Sequence, residues 1–188
     1  MTTTLTIKII KESIKVLLFA SIISTMGGIS LEGIQESILA IIPLLILLPA
    51  LNGMVGGFGT TFSAKLTTSL YLGEVNTKNI LKSKEIRNLI SKIYIIALVS
   101  AIYMTILAFI ISKSKDFNFN FLLIIKILAI SVIVTLIVIS VIIFLSLILG
   151  VYYFNKKEDP NNFLIPITTA IGDLGSMFVL SVLVRILF

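Results

Sequence analysis

The chain of 188 residues contains no cysteine and no histidine. Without cysteine there is no disulfide framework, no thiolate metal site and no thiol nucleophile. Without histidine there is no imidazole base and no histidine-ligated zinc. Charge is scarce too: 13% of the residues are Asp, Glu, Lys or Arg, where a soluble domain carries roughly 25%. The side-chain ligands left for a metal are oxygens, which suit Mg²⁺, Ca²⁺ and Mn²⁺.

What is abundant is apolar: 57% of the chain is hydrophobic. That composition predicts an all-α membrane protein, multi-pass in the cell membrane, with residues 1–188 forming one integral membrane domain and no soluble appendage. The formal charge is +6, but the cations sit at the ends of apolar runs. Anionic lipid headgroups and membrane topology account for them, and nucleic acid is not the expected partner.

Five spans are predicted, at about 14–29, 38–72, 93–111, 127–150 and 163–187. The first has a signal-peptide-like opening, Lys8, Lys11 and Lys15 before VLLFASIIST. No A-x-A-like cleavage site follows, only STMGGIS, so it reads as a retained helix. The second apolar segment, taken as one helix, is about 52 Å long at 1.5 Å per residue, against a hydrocarbon core of about 30 Å. Pro43, Pro49 and the glycines from Gly53 to Gly59 predict that it is kinked or broken. Lys8, Lys11, Lys15, Lys78, Lys82, Lys84, Arg87, Lys92, Lys156 and Lys157 outnumber Lys113, Lys115, Lys126 and Arg185 on the other side. The predicted orientation is N-terminus inside and C-terminus outside. Asp159-Pro160-Asn161-Asn162 reads as a turn before span five, and Glu74 and Lys65 read as solvated or headgroup-reaching side chains.

One charge stands out. Asp173 lies in the otherwise uncharged run 163–184, and a charge at membrane depth costs several kcal/mol. Thr168, Thr169, Gly172, Asp173 and Ser176 share one face of a helix, with Thr169 one turn before the acid. A lone acid on a Thr/Gly/Ser face points to a hard cation crossing the membrane. A structural acid, paired with Lys65, Lys126 or a backbone donor, or protonated, is the other reading. In span two, Gly53, Gly56, Gly57, Thr60, Thr61, Ala64, Thr67 and Thr68 recur at helical spacing and are all small. Such a face serves close helix packing, and Gly53 and Gly57 have GxxxG spacing; it also leaves room for a hydrated ion. Asn52 fits either a hydrogen bond across helices or an ion contact.

At these two faces the chain resembles the solute carrier 41 and MgtE group of magnesium transporters. LPALNGMVGGFGTTFSAKLTTSLYLGEV is similar to its first signature, through Pro49, Ala50, Leu51, Gly53, Gly56, Thr61, Lys65, Thr67, Thr68 and Gly73. The second signature is matched by Asp159, Pro160, Asn162, Pro166, Thr169, Ala170, Gly172, Asp173 and Leu174. The resemblance implies that Asp173 is the pore acid and that two halves pair about a pseudo-two-fold axis. This chain has one half, which implies a homodimer with a ten-helix pathway. The chain departs from the pattern at Gly57, where the family often has Asn, and at Gly59, where eukaryotic-type members have an acid.

The leading reading is a divalent cation transporter or channel, most simply for Mg²⁺, which is the transported ion; no cofactor is expected. Spans two and five line the path. Two Asp173 carboxylates face each other near the dimer axis, and Thr169 and backbone oxygens near Gly56 and Gly57 contact the ion's water shell. Asn52, Gly53, Thr60, Thr61, Thr168, Gly172 and Ser176 are the further candidates for lining the pore. Sodium-coupled export, a non-transporting membrane scaffold and an intramembrane enzyme are the alternatives. The enzyme fits least, because Ser63 and Ser176 have no histidine and only one deep acid is present.

Overall fold

The computed structural model describes residues 2–188 apart from Asn76 and Lys78, with side chains described from Ser13 onward. Of the cations counted for orientation, Lys78 and the side chains of Lys8 and Lys11 therefore lie outside the described residues. The elements are α1 (Thr2–Glu32), α2 (Gln35–Ala40), α3 (Ile42–Tyr71), a 3₁₀ turn (Ile80–Lys82), α4 (Lys84–Lys113), α5 (Phe121–Asn155) and α6 (Asn161–Leu187). No strand occurs among the described residues. Five of the helices, α1, α3, α4, α5 and α6, are long and apolar enough to cross a membrane. Backbone groups in lipid must be satisfied within the segment, and continuous helices do this.

The second apolar segment is interrupted at Ile41 (φ −110°, ψ 85°), between the short α2 and the long α3. Pro43 lies in the first turn of α3, where its missing N–H has no intrahelical partner to lose and its fixed φ suits a helix start. From Ile42 to Tyr71 the chain stays helical, with Pro49 and all the glycines from Gly53 to Gly59 inside one element. The break in the apolar segment lies at Ile41, and the stretch that holds Pro49 and the glycines is assigned as one helix.

The packing centres on α6, which touches α1, α3 and α5, while α4 packs on α3 and α5. The helices α3 and α6 run antiparallel: Asn52 meets Ser176, Gly56 meets Gly172, and Gly59 meets Thr168. The helices α1 and α6 run parallel, with Ser24 opposite Asp173 and Gly27 against Leu174 and Met177. Leu44, Leu47, Phe62 and Leu66 of α3, Ile127 and Ile130 of α5 and Leu164 of α6 are fully buried between the layers. On α4 the buried positions include Ala97, Ala101 and Ala108. Small side chains allow the close approach that dispersion packing in lipid requires. Leu18, Phe19 and Ile22 of α1, Val99 and Ile106 of α4 and Phe144 of α5 point outward, as lipid-facing residues do.

The Asp159 segment makes the turn expected of it. The Asp159 carboxylate accepts from the N–H of Asn161 at 3.0 Å and its carbonyl accepts from the N–H of Asn162 at 3.2 Å. Lys65 and Glu74 are exposed.

Candidate functional site

The carboxylate of Asp173 lies where α1, α3 and α6 converge. Its Oδ1 accepts from Asn52 Nδ2 of α3 at 2.8 Å, and its Oδ2 accepts from Ser24 Oγ of α1 at 2.6 Å. Ser176, one turn after Asp173 on α6, donates to Asn52 Oδ1 at 2.6 Å. Its hydroxyl also lies 3.2 Å from the carbonyl of Asp173. These contacts fix the Asn52 amide. Reversed, its oxygen would face the carboxylate oxygen, acceptor against acceptor. Four polar side chains from three helices thus form one connected network around a single acid.

The network can close because the backbones come close. A Cβ placed on Gly172 would lie 3.3 Å from the Cα and N of Gly56, and one on Gly59 would lie 3.2 Å from Cβ of Thr168. The glycines set the α3–α6 separation at which a side chain as short as Asn52 reaches Asp173. Gly27 has the same role on the α1 side, where a Cβ would meet Cα of Leu174 at 3.1 Å and the carbonyl of Asp173 at 3.3 Å.

Neither lysine considered as a partner is paired with Asp173. Lys65 is exposed. Lys126 Nζ donates to the carbonyl of Leu187 at 2.6 Å and sits over the Phe188 ring. The side chains that donate to the acid, Ser24 and Asn52, are neutral. Among the described residues no cluster of three or more acidic, histidine or cysteine side chains exists, so a cation here would meet one carboxylate per chain.

A cavity of about 310 Å³ opens beside the carboxylate between α1 and α6, lined by Leu17, Ala20, Ser21, Ser24, Pro166, Thr169 and Asp173, among others. The space exceeds the roughly 180 Å³ that six waters at about 30 Å³ each take up, and it is an open groove with a mostly apolar lining. Ser21 and Thr169 donate to carbonyls of their own helices, those of Leu17 and Ile165, at 2.7 and 2.9 Å. Their lone pairs remain available to water.

The face foreseen on α3 divides in two. Gly56 and Thr67 are buried, as is Gly59 beside them, whereas Gly53, Gly57, Thr61 and Thr68 are exposed, and nothing lies within 4 Å of a Cβ built on Gly53 or Gly57. The Gly57 carbonyl accepts the hydroxyls of both Thr60 and Thr61, at 2.9 and 2.8 Å. Thr168 is buried and donates to the carbonyl of Leu164 at 2.8 Å. The structure therefore brings Asn52, Gly56, Gly172, Asp173 and Ser176 together, sets Thr169 in the adjoining cavity, and turns Gly53, Gly57 and Thr61 outward.

Ser24 was not foreseen. The signal was present, since ASIISTMGG holds three of the hydroxyls of α1 within one short stretch. That stretch carries no information about which other span it meets.

A family model described as MgtE, divalent cation transporter, matches residues 48–183. The match takes in Asn52, Gly56, Gly172, Asp173 and Ser176 and begins after Ser24. The comparisons with curated proteins and with solved structures gave no match.

Proposed function

The chain belongs to the MgtE family of divalent cation transporters, and from that premise we propose that it carries Mg²⁺ across the membrane, with Asp173 of α6 as the cation-binding carboxylate, reached through the groove between α1 and α6. The observation that supports this most strongly is the surroundings of Asp173. It is a carboxylate within a membrane-spanning helix, held by neutral donors and facing a cavity large enough for a hydrated ion.

Mg²⁺ sheds water reluctantly. A site with one carboxylate and several hydroxyls suits an ion that keeps its water shell, with Asp173 and Thr169 contacting the waters. A second copy of the chain supplies a second Asp173. Two facing carboxylates repel each other, and a divalent ion between them removes that repulsion. With the N-terminal end of α1 inside the cell, an inward potential contributes about 2.3 kcal/mol per charge per 100 mV, or about twice that for a divalent ion. A channel needs no other driving force.

The test is Mg²⁺ uptake by liposomes containing the purified chain under an inside-negative potential. Uptake without sodium is expected. A strict need for a sodium gradient points instead to the coupled exporter, and no flux under either condition to the scaffold.

A further inference from the structure

We propose that Ser24, on α1, is a positioning residue of the cation site: its hydroxyl competes with the cation for Oδ2 of Asp173 and so sets the affinity. The proposal rests on the reading of Asp173 as the cation's carboxylate and adds a third helix to it, from a part of the chain that precedes the family match.

The two oxygens of Asp173 have different surroundings. Oδ1 is tied to α3 through Asn52, whose amide is locked by Ser176. Oδ2 points to α1, where Ser24 Oγ donates at 2.6 Å. Ser24 and Asp173 both line the cavity between α1 and α6, and Asn52 does not. A cation held in that cavity therefore approaches the oxygen that Ser24 holds. A charge-assisted bond of this length is among the stronger hydrogen bonds, and the cation or one of its waters must compete with it.

The hydroxyl has a second acceptor within reach. Ser21 donates to the carbonyl of Leu17, and Thr25 donates to the carbonyl of Ser21, each four residues back along α1. The corresponding acceptor for Ser24 is the carbonyl of Ala20. A rotation about one side-chain bond moves the proton of Ser24 from Oδ2 to that carbonyl. Ser21 and Thr169 already donate to their own helices. Ser24 is thus the cavity hydroxyl that donates to the carboxylate, and the one whose rotation leaves Oδ2 open to the cation.

Titration calorimetry of the full chain in lipid nanodiscs, with Mg²⁺ as the probe, tests this. Ser24→Ala removes the competitor and is expected to bind Mg²⁺ roughly tenfold more tightly, in keeping with the net strength of a hydrogen bond to a charged group. Ser24→Thr keeps the hydroxyl and is expected to bind as the unmodified chain does. Should Ser24→Ala not purify as folded protein, Ser24→Cys, a weaker donor of similar size, is expected to tighten binding by a smaller factor. Unchanged or weaker binding in both Ser24→Ala and Ser24→Cys overturns the proposal. Asp173→Asn separates the two levels of the account. If it abolishes binding while the Ser24 variants change nothing, the role of Ser24 fails alone. If it binds Mg²⁺ normally, the assignment of the carboxylate fails and the role of Ser24 falls with it.

Discussion

Asp173 lies within a membrane-spanning helix, and its two carboxylate oxygens accept from two neutral side chains, Asn52 and Ser24. An unpartnered carboxylate in hydrocarbon is prohibitively costly, and a lysine beside it would cancel the attraction for a cation. Neutral donors offset part of that cost and bring no counter-charge. Asn52 has the more structural share. It donates to Oδ1 and is itself held by Ser176, so it aims the carboxylate without offering an oxygen to the ion. Asn52→Ala should therefore weaken Mg²⁺ binding by roughly tenfold, through loss of aim and of one charge-assisted bond. Calorimetry checks this, and the change is opposite in direction to that expected for Ser24→Ala. Both residues touch the same carboxylate, and opposite signs in the two variants would separate aiming from competing.

At the scale of helices, the site depends on how closely α3 and α6 approach, and the two glycines at their crossing are not equivalent. A Cβ on Gly172 meets the backbone of Gly56 at 3.3 Å, whereas one on Gly56 meets only a methyl of Thr169 at 3.8 Å. Backbone cannot swing aside as a side chain does. Gly172→Ala should push the helices apart, cost about 1–3 kcal/mol as overpacking does, and stretch the Asn52–Asp173 bond. Gly56→Ala should be nearly neutral. Thermal unfolding of the two variants in the same detergent checks the asymmetry. The five spans were legible from hydropathy because lipid demands long apolar helices. Their ends were not. For example, α4 begins at Lys84 and α5 runs from Phe121 to Asn155, well past the apolar runs, because a helix continues into the headgroup region where charge is tolerated. The face of Thr169, Gly172, Asp173 and Ser176 was legible from spacing within one helix. The contribution of Ser24 was not, since it depends on α1 lying parallel to α6, and no periodicity within a span reports which spans are neighbours.

At the scale of the whole molecule, an exposed strip on α3 remains to be explained. Gly53, Gly57, Thr61 and Thr68 face outward with open space beyond the glycines, on a chain whose other outward residues include many large apolar ones. Small and hydroxyl-bearing faces are where membrane helices meet, which supports a second copy as the partner across this strip. Gly57→Leu places a bulky side chain there without touching the protomer's own packing. If a second copy packs on this strip, Gly57→Leu leaves the helical content unchanged by circular dichroism and lowers the dimer fraction by native mass spectrometry; an unchanged oligomer distribution rules the strip out as the interface.

The central claim is that the Asp173 carboxylate binds the transported ion, and Mg²⁺ flux through Asp173→Asn in proteoliposomes tests it most directly. Asparagine keeps the size and can still bond to Ser24 and Asn52 but carries no charge. The account predicts a folded protein in the same oligomeric state as the unmodified chain, with Mg²⁺ flux lost. Flux that persists at the level of the unmodified chain would contradict it.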